Sequence, residues 1–448
     1  MSNPKLTYEI LAGAVSGGAA AIRARTRLQP AGGSGDKVFP PTFGDTVRAD
    51  LPDGSQHMTR YAVETRRING ESVLCVLLDS VASQANRYEE ALQRAWDEDL
   101  VDFPLVRVDF TGETHDDPAL DLSTIGGDGY LTSLEAPHRL ADALLRDSML
   151  GDFRFRASDP GRSFTEASPH NATAVYKLSP NALVFGMWDS TGPKGGQGSK
   201  FQRALVSEIV GMGVKFGNKT ASRIDPAQIE LNAGPVYRAA DSEEEWTIDE
   251  SAAAREKGKA VLFSRRKSDK AGKPSSLLHG NIKPSIDSVA GGVTLDYAEQ
   301  ITVLSIPALR RLRFPKNVGG SAIPRDQRTT AENAARTALA ALGLAAVAFQ
   351  RLEGFDLRSR CAFVPDPAGP LAFHVLDRDG TSNGPFALAP DDAEQLVKRA
   401  SEAAEAAGMG WDREPIDLVP APKLVELIRK SRDVAAQRPA DQEDEEAG

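Results

Sequence analysis

The clearest pattern in the chain is an alternation near its start. Between residues 19 and 28, Ala21, Arg23, Arg25 and Arg27 take turns with Ile22, Ala24, Thr26 and Leu28. A period of two predicts a strand with one cationic face. Residues 6–15 before it read as a short helix, and residues 30–44 after it, rich in Gly and Pro, as a loop. Residues 59–68 and 72–78 are strand-like and are joined by Asn69-Gly70, a strong hairpin signal. From Ser80 the period becomes helical, through Tyr88, Leu92 and Trp96. Residues 106–110 predict a strand, 137–149 a helix, 151–170 an irregular stretch and 171–178 a helical turn.

A strand-like run over 182–188 then stops at a glycine-rich loop carrying Lys194 and Lys200. Leu205, Ile209 and Met212, at i, i+4 and i+7, predict a helix over 201–212. A second polar loop follows with Lys219, Thr220, Ser222 and Arg223. Two cationic, glycine-bearing loops flanking one helix make a surface suited to phosphates. Residues 255–283 hold little apolar material and predict a flexible arm. Strand then helix are expected over 291–306, a long alanine-rich helix over 329–349, strands over 356–363 and 371–376, and helices over 391–407 and 423–436. There is no internal repeat of solenoid period. Strands and helices mixed with hairpins predict an α+β fold, not a doubly wound parallel sheet.

Composition narrows the picture less than charge does. A chain of 448 residues with 41% hydrophobic content can bury a substantial core. No run of 18 apolar residues occurs, so no ordinary transmembrane helix is expected. The N-terminal residues lack a basic stretch followed by an apolar one, and a cytoplasmic protein without membrane partners is the expectation. Cys75 and Cys361 cannot build a disulfide framework or a CxxC zinc site. The net charge of -10 argues at first against nucleic acid. Yet residues 241–250 carry six acids and 439–448 five, with no base in either, so the remainder is nearly neutral. Cations gather elsewhere: nine Lys or Arg lie in 255–283 against two acids. Charge segregated in this way allows a basic groove on an acidic protein.

The candidate chemistry is binding chemistry. Gly198-Ser199-Lys200 has the wrong order for a Walker A motif, which excludes a P-loop nucleotidase. The loop could hold a phosphodiester, or be an ordinary surface loop. Ser83, Gln84, Asn86 and Arg87 open a helix behind a strand ending at Asp79. They can meet ribose and phosphate, and they equally suit a helix cap. The six histidines form no HExxH pattern and no GxSxG elbow occurs. Asp79, Asp189 and Asp225 stand beside the loops without a sequence-adjacent acid–base partner, so neither a catalytic set nor a metal or other cofactor is expected.

These stretches carry a resemblance. Ile22-Arg23-Ala24-Arg25-Thr26-Arg27-Leu28-Gln29-Pro30, Leu78-Asp79-Ser80-Val81 with Ser83-Gln84-Ala85-Asn86-Arg87, the block 188–226, His279-Gly280-Asn281-Ile282 and Gly291-Gly292-Val293-Thr294 follow in order. Together the chain resembles the RAMP-superfamily backbone subunit of CRISPR surveillance (Cascade) complexes, in its subtype I-G (formerly I-U) form. The resemblance spans roughly the first three-quarters of the chain. It implies an RRM-like (ferredoxin-like) palm with inserted finger and thumb elements and C-terminal helices. The layout expected is a core over 1–240 and 284–438, an acidic then basic flexible insertion over 241–283, and a disordered tail over 439–448. It also implies a non-catalytic ribonucleoprotein subunit that multimerises along CRISPR RNA and presents it to a target DNA strand in antiviral defence. Implied partners are further copies, a large subunit, a Cas5/Cas6-type subunit and a recruited helicase-nuclease.

The RNA contacts expected are Arg23, Arg25, Arg27, Ser83, Gln84, Asn86, Arg87, Lys200, Arg203, Lys219, Thr220, Arg223 and Asn281. A guide-binding subunit must accept any spacer, which favours phosphate and ribose contacts over base readout. Aromatic content of 6% fits gripping of the backbone more than stacking. Two alternatives remain: a metal-dependent RNA endonuclease of the same superfamily using Asp79, Asp189 or Asp225, and a scaffold protein without nucleic acid.

Overall fold

The computed structural model describes residues 3–192, 198–230, 232–241, 244–264 and 271–437. Lys194, part of the basic arm (265–270) and the acidic tail lie outside the described residues. The fold is α+β, with several sheets and C-terminal helices. The chain forms two compact units.

The first unit comprises Met1–Asp36, Cys75–Gly213 and Leu295–Ser431. Its central sheet is built from β1 (Ala21–Pro30), the end of β2 (Glu71–Asp79), β3 (Leu205–Met212), β4 (Tyr297–Ser305) and β5 (Phe373–Leu376). Across the sheet the order is β5-β1-β4-β3-β2, every neighbour antiparallel. The helices are α1 (Tyr8–Gly17), α2 (Val81–Asp97), α3 (Arg325–Glu353) and α4 (Pro390–Ala406). On β1, Ile22, Ala24, Thr26 and Leu28 are buried and the arginines between them are not. The predicted alternation therefore sorts the two faces. α2 and α3 cover the buried one: Tyr88 hydroxyl pairs with Thr302 Oγ1 at 3.1 Å, and Gln300 donates to Gln350 at 3.2 Å. A smaller sheet in the same unit sets Ile416–Pro420 parallel to Val106–Asp109.

The helix α3 explains the alanine-rich stretch. Ala335, Ala338, Ala341, Ala345 and Ala348 are all buried, and small side chains let other elements approach it on several sides. Gly343 is the tightest point. A Cβ there would lie 3.0 Å from Val184 and 3.2 Å from Leu205, so β3 and the short helix Asn181–Phe185 approach α3 almost backbone to side chain.

The middle of the chain differs from its predicted elements. The helix expected over 201–212 is strand β3. Leu205 and Ile209 are four apart, a spacing that serves a period of 3.6 and a period of 2 alike. The arbiters are Val206, Ile209 and Val210, β-branched, and Gly211, a poor helix former. The strand expected over 182–188 is instead the short helix Asn181–Phe185 followed by Met187–Trp188. All five residues of that helix are buried, the polar Asn181 included, so no exposed position reveals a period. The residues expected as a second polar loop form the strand Lys219–Arg223.

The second unit includes Lys37–Leu74 and Val214–Thr294. It is made of two-stranded ribbons: Thr42–Asp50 with Gln56–Tyr61, Lys215–Phe216 with Val293–Thr294, and Lys219–Arg223 with Ile282–Asp287. The Asn69-Gly70 turn has φ of 51° and 90°, the left-handed pair that the hairpin reading requires. The boundaries expected at 241 and 283 fall inside this unit. Described residues of the expected flexible arm form the ribbon Arg255–Glu256 with Lys259–Ala260. Val236, Phe263 and Leu277 bury a small core of their own, and Gly272 donates its N–H to Phe263 at 2.7 Å. Of these three core residues, Phe263 and Leu277 lie within the expected arm.

Candidate nucleic-acid interface

On β1 the arginine stripe is present, and most of it is already paired. Arg25 donates twice to Glu299, at 2.9 and 2.6 Å. Arg27 lies 2.8 Å from Asp366, with its guanidinium 4.1 Å from the centre of the Tyr297 ring. Arg23, opposite Val303 and His374, makes no ion pair among the described residues. The three share one half-exposed face, as a period of two dictates, yet only Arg23 meets solvent without a carboxylate partner.

The start of α2 is a structural knot. Asp79, fully buried, accepts from Ser83 Oγ at 2.6 Å, Gln84 Nε2 at 2.6 Å and Arg87 Nε at 3.0 Å. Arg87 donates its remaining group to the Leu357 carbonyl at 2.7 Å. Gln84 is itself buried and its carbonyl accepts from Ser207 and Gln300. Ser80 caps the helix. Of the four residues expected here, Gln84 lies in the interior, Ser83 and Arg87 hold Asp79, and Asn86 alone stands exposed. The cap alternative describes this segment better than ribose recognition does.

Lys200 and Arg203 sit elsewhere in the first unit, on an open groove of about 730 Å³. Its wall includes His138, Trp188, Ser190, Gln202 and Val206, and none of its lining residues is acidic. Trp188 pairs with Lys200 across a two-residue ribbon, and the ammonium lies 5.2 Å from the indole centre. Arg203 is exposed; its stem passes within 2.8 Å of where a Cβ on Gly186 would be, at a φ of 84° that favours glycine. Arg139 also borders the groove but is buried and tied to Glu89 by two bonds of 2.6 Å. Gln202 accepts from Arg311 at 2.6 Å. Arg311 borders a second acid-free groove, of about 580 Å³, with Arg310, Arg313 and His170. One hydrogen bond thus joins two cationic hollows on one unit.

In the second unit Lys219 pairs with Asp287 at 3.1 Å, and Thr220 is exposed opposite Ile286. Arg223 donates twice to the Gly280 carbonyl, at 3.1 and 3.0 Å. Asn281 Oδ1 accepts from the Asp225 N–H at 2.7 Å, and Asp225 accepts from Gly280 N–H at 2.6 Å. That backbone bond comes first among the causes holding the Asp225 carboxyl below its usual range. The His279-Gly280-Asn281 motif is therefore a clasp that closes one ribbon. The helix expected to gather Lys200, Arg203, Lys219 and Arg223 does not exist, and the first pair and the second belong to different units.

Sequence reading missed Arg310, Arg311, Arg313, His170 and Trp188. The signal was available: Arg310-Arg311-Leu312-Arg313 puts three cations in four residues. Asp79, Asp189 and Asp225 are all buried, and Asp189 holds Arg156 at 2.7 Å. Among the described residues no helix is long and apolar enough to cross a membrane.

Residues 22–216 match a family model described as CRISPR-associated protein GSU0053 (Cas_GSU0053). Over that stretch the chain is similar to CRISPR-associated proteins. The matched stretch, a little under half of the chain, runs from β1 through α2 and β3. It includes Trp188, Lys200 and Arg203, and it stops short of Arg223, Asn281 and the 310–313 cluster. No curated protein matches the chain.

Proposed function

We propose that this protein is a guide-RNA-binding backbone subunit of a CRISPR surveillance complex, one that lines up in several copies along the RNA and does not cut it. The observation that carries the reading is the pair of joined, acid-free grooves with Lys200, Arg203, Arg310, Arg311 and Arg313 on their walls. On a protein of net charge -10, two adjoining hollows without a carboxylate select for a polyanion. Strand order lends further support. With β2 and the intervening insertions set aside, β1, α2, β3, β4, α3 and β5 run in the order βαββαβ, and their strands lie β5-β1-β4-β3. That order is compatible with the RRM-like, ferredoxin-like palm that the resemblance implies, given a strand added beyond β3 and insertions at its loops.

The endonuclease alternative is disfavoured by where the three aspartates lie. Asp79 and Asp225 hold protein donors on both carboxylate oxygens, and Asp189, itself buried, holds Arg156 through Oδ1, which leaves only its buried Oδ2 without a donor among the described residues. A scaffold without nucleic acid accounts for the intramolecular bonds of Arg310, Arg311 and Arg313 but not for exposed cations gathered on hollows whose described lining residues include no acid.

The deciding experiment is co-expression with a CRISPR array, purification, and sequencing of the RNA that comes with the protein. CRISPR RNA of uniform repeat and varied spacer is expected, in particles whose mass grows with guide length. Complementary RNA added with magnesium or manganese should stay intact. Protein free of RNA, or regularly spaced cuts lost on Asp189→Ala, would replace this reading with the scaffold or the nuclease.

A further inference from the structure

We propose that the groove at Trp188 is a stacking site for one nucleotide of single-stranded RNA, with the base on the indole and the neighbouring phosphates on Lys200 and Arg203. The inference rests on the RNA-binding reading and adds a kind of contact that composition argued against.

Trp188 is 50% exposed although its strand neighbour Met187 and the facing Phe201 are buried. An exposed Trp is held out by its backbone here. Met187 pairs with Phe201 and Trp188 with Lys200, so the ribbon fixes where the indole stands. The Lys200 ammonium, 5.2 Å from the ring centre, is placed as a cation–π partner and anchors the ring's orientation. A pre-positioned aromatic ring loses little freedom when a base lands on it. The volume of about 730 Å³ lies in the range of small-ligand clefts, about 300–1,000 Å³.

The polar wall favours the same ligand. Ser190 and Gln202 bring neutral hydrogen-bonding groups, His138 a ring that donates or accepts, and Lys200 and Arg203 charge. Arg139 adds no free charge, because Glu89 neutralises it. An apolar small molecule would leave two cations unpaired, and an acidic peptide would leave the indole without a flat partner. A nucleotide answers both. Stacking takes any base, since every base has a π face, so the site accepts every spacer sequence.

The test uses full-length protein, freed of co-purified RNA, and two labelled probes of equal length: an oligouridylate and an abasic ribose-phosphate oligomer. Trp188→Ala is expected to weaken oligouridylate binding about tenfold or more. Binding of the abasic probe should be unchanged, as should the slope of log affinity against log salt, because no phosphate contact is lost. Trp188→Phe, which keeps a flat ring, should recover most of the oligouridylate affinity. Wild-type affinity in Trp188→Ala, or an equal loss on both probes, would overturn the stacking site while leaving RNA binding in place. Wild-type protein that binds neither probe would overturn the RNA-binding reading and this site with it.

Discussion

Glu89 and Arg139 form a two-bond ion pair whose side chains are only 2% and 7% exposed. Asn181 donates a third bond to Glu89 at 2.8 Å, and Arg139 reaches the Gly186 carbonyl at 2.8 Å. Burial pulls the Glu89 carboxyl upward and the Arg139 charge opposes it. The floor of the Trp188 groove therefore depends on a charge pair that must stay whole. Glu89→Ala should lower unfolding stability by about 3–5 kcal/mol, read from the urea midpoint, because it strands Arg139 in the interior. Asp225 makes a pH prediction. Its carboxyl is held below the usual range chiefly by the Gly280 N–H. A depressed carboxyl stabilises the folded clasp above its unfolded pKa and loses that contribution as pH falls through the folded one. Exchange of the Gly280 amide should thus lose protection in acid beyond the intrinsic pH dependence measured on an unfolded peptide, and Asp225→Asn should lack that excess loss.

At the scale of elements, α3 decides how closely the central sheet and the helix Asn181–Phe185 can lie. Gly343→Ala gains about 1 kcal/mol of helix propensity and pushes a methyl to 3.0 Å from Val184, so it should be close to neutral. Gly343→Leu has a similar propensity gain and overfills the site, costing about 1–3 kcal/mol; overpacking wins and the thermal midpoint falls. The elements that sequence pattern located well are those with one covered face and one open. β1, α2 and α4 each show it, and their ends agree with the structure within a few residues. β3 was misread because its four-residue apolar spacing serves a helix and a strand alike, and the helix Asn181–Phe185 because burial of all five residues leaves no exposed position to mark a period. The site was legible to the same degree. The β1 stripe, Lys200 and Arg203 stood out as cations in the sequence. What could not be read was their company: Glu299 lies 274 residues from Arg25, and Asp366 follows Arg27 at similar remove. Nothing local reports a partner brought in by sheet pairing.

For the whole molecule, charge separates two kinds of arginine. Arg310 and Arg311 make no ion pair among the described residues, whereas Arg313 pairs with Glu332 and, on β1, Arg25 and Arg27 pair with Glu299 and Asp366. Replacing Arg310 and Arg311 by Gln should reduce the salt slope of RNA affinity by roughly 1.4, the value for two phosphate contacts to a single strand. Arg313 holds Glu332 at 2.8 Å, so replacing it as well should add less. Replacing Arg25 and Arg27 should change that slope less, since each must first release Glu299 or Asp366. Those two pairs have a further consequence. An anion that settles on Arg25 or Arg27 must exchange with a carboxylate already in place, as on a resin loaded with its own counterion. A lone phosphate or chloride gains little by such an exchange. A chain held at neighbouring points presents its next phosphate at millimolar effective concentration, and the swap then proceeds. On the RNA-binding reading, Arg25 and Arg27 would thereby respond to the number of charges a ligand carries more than to small ions.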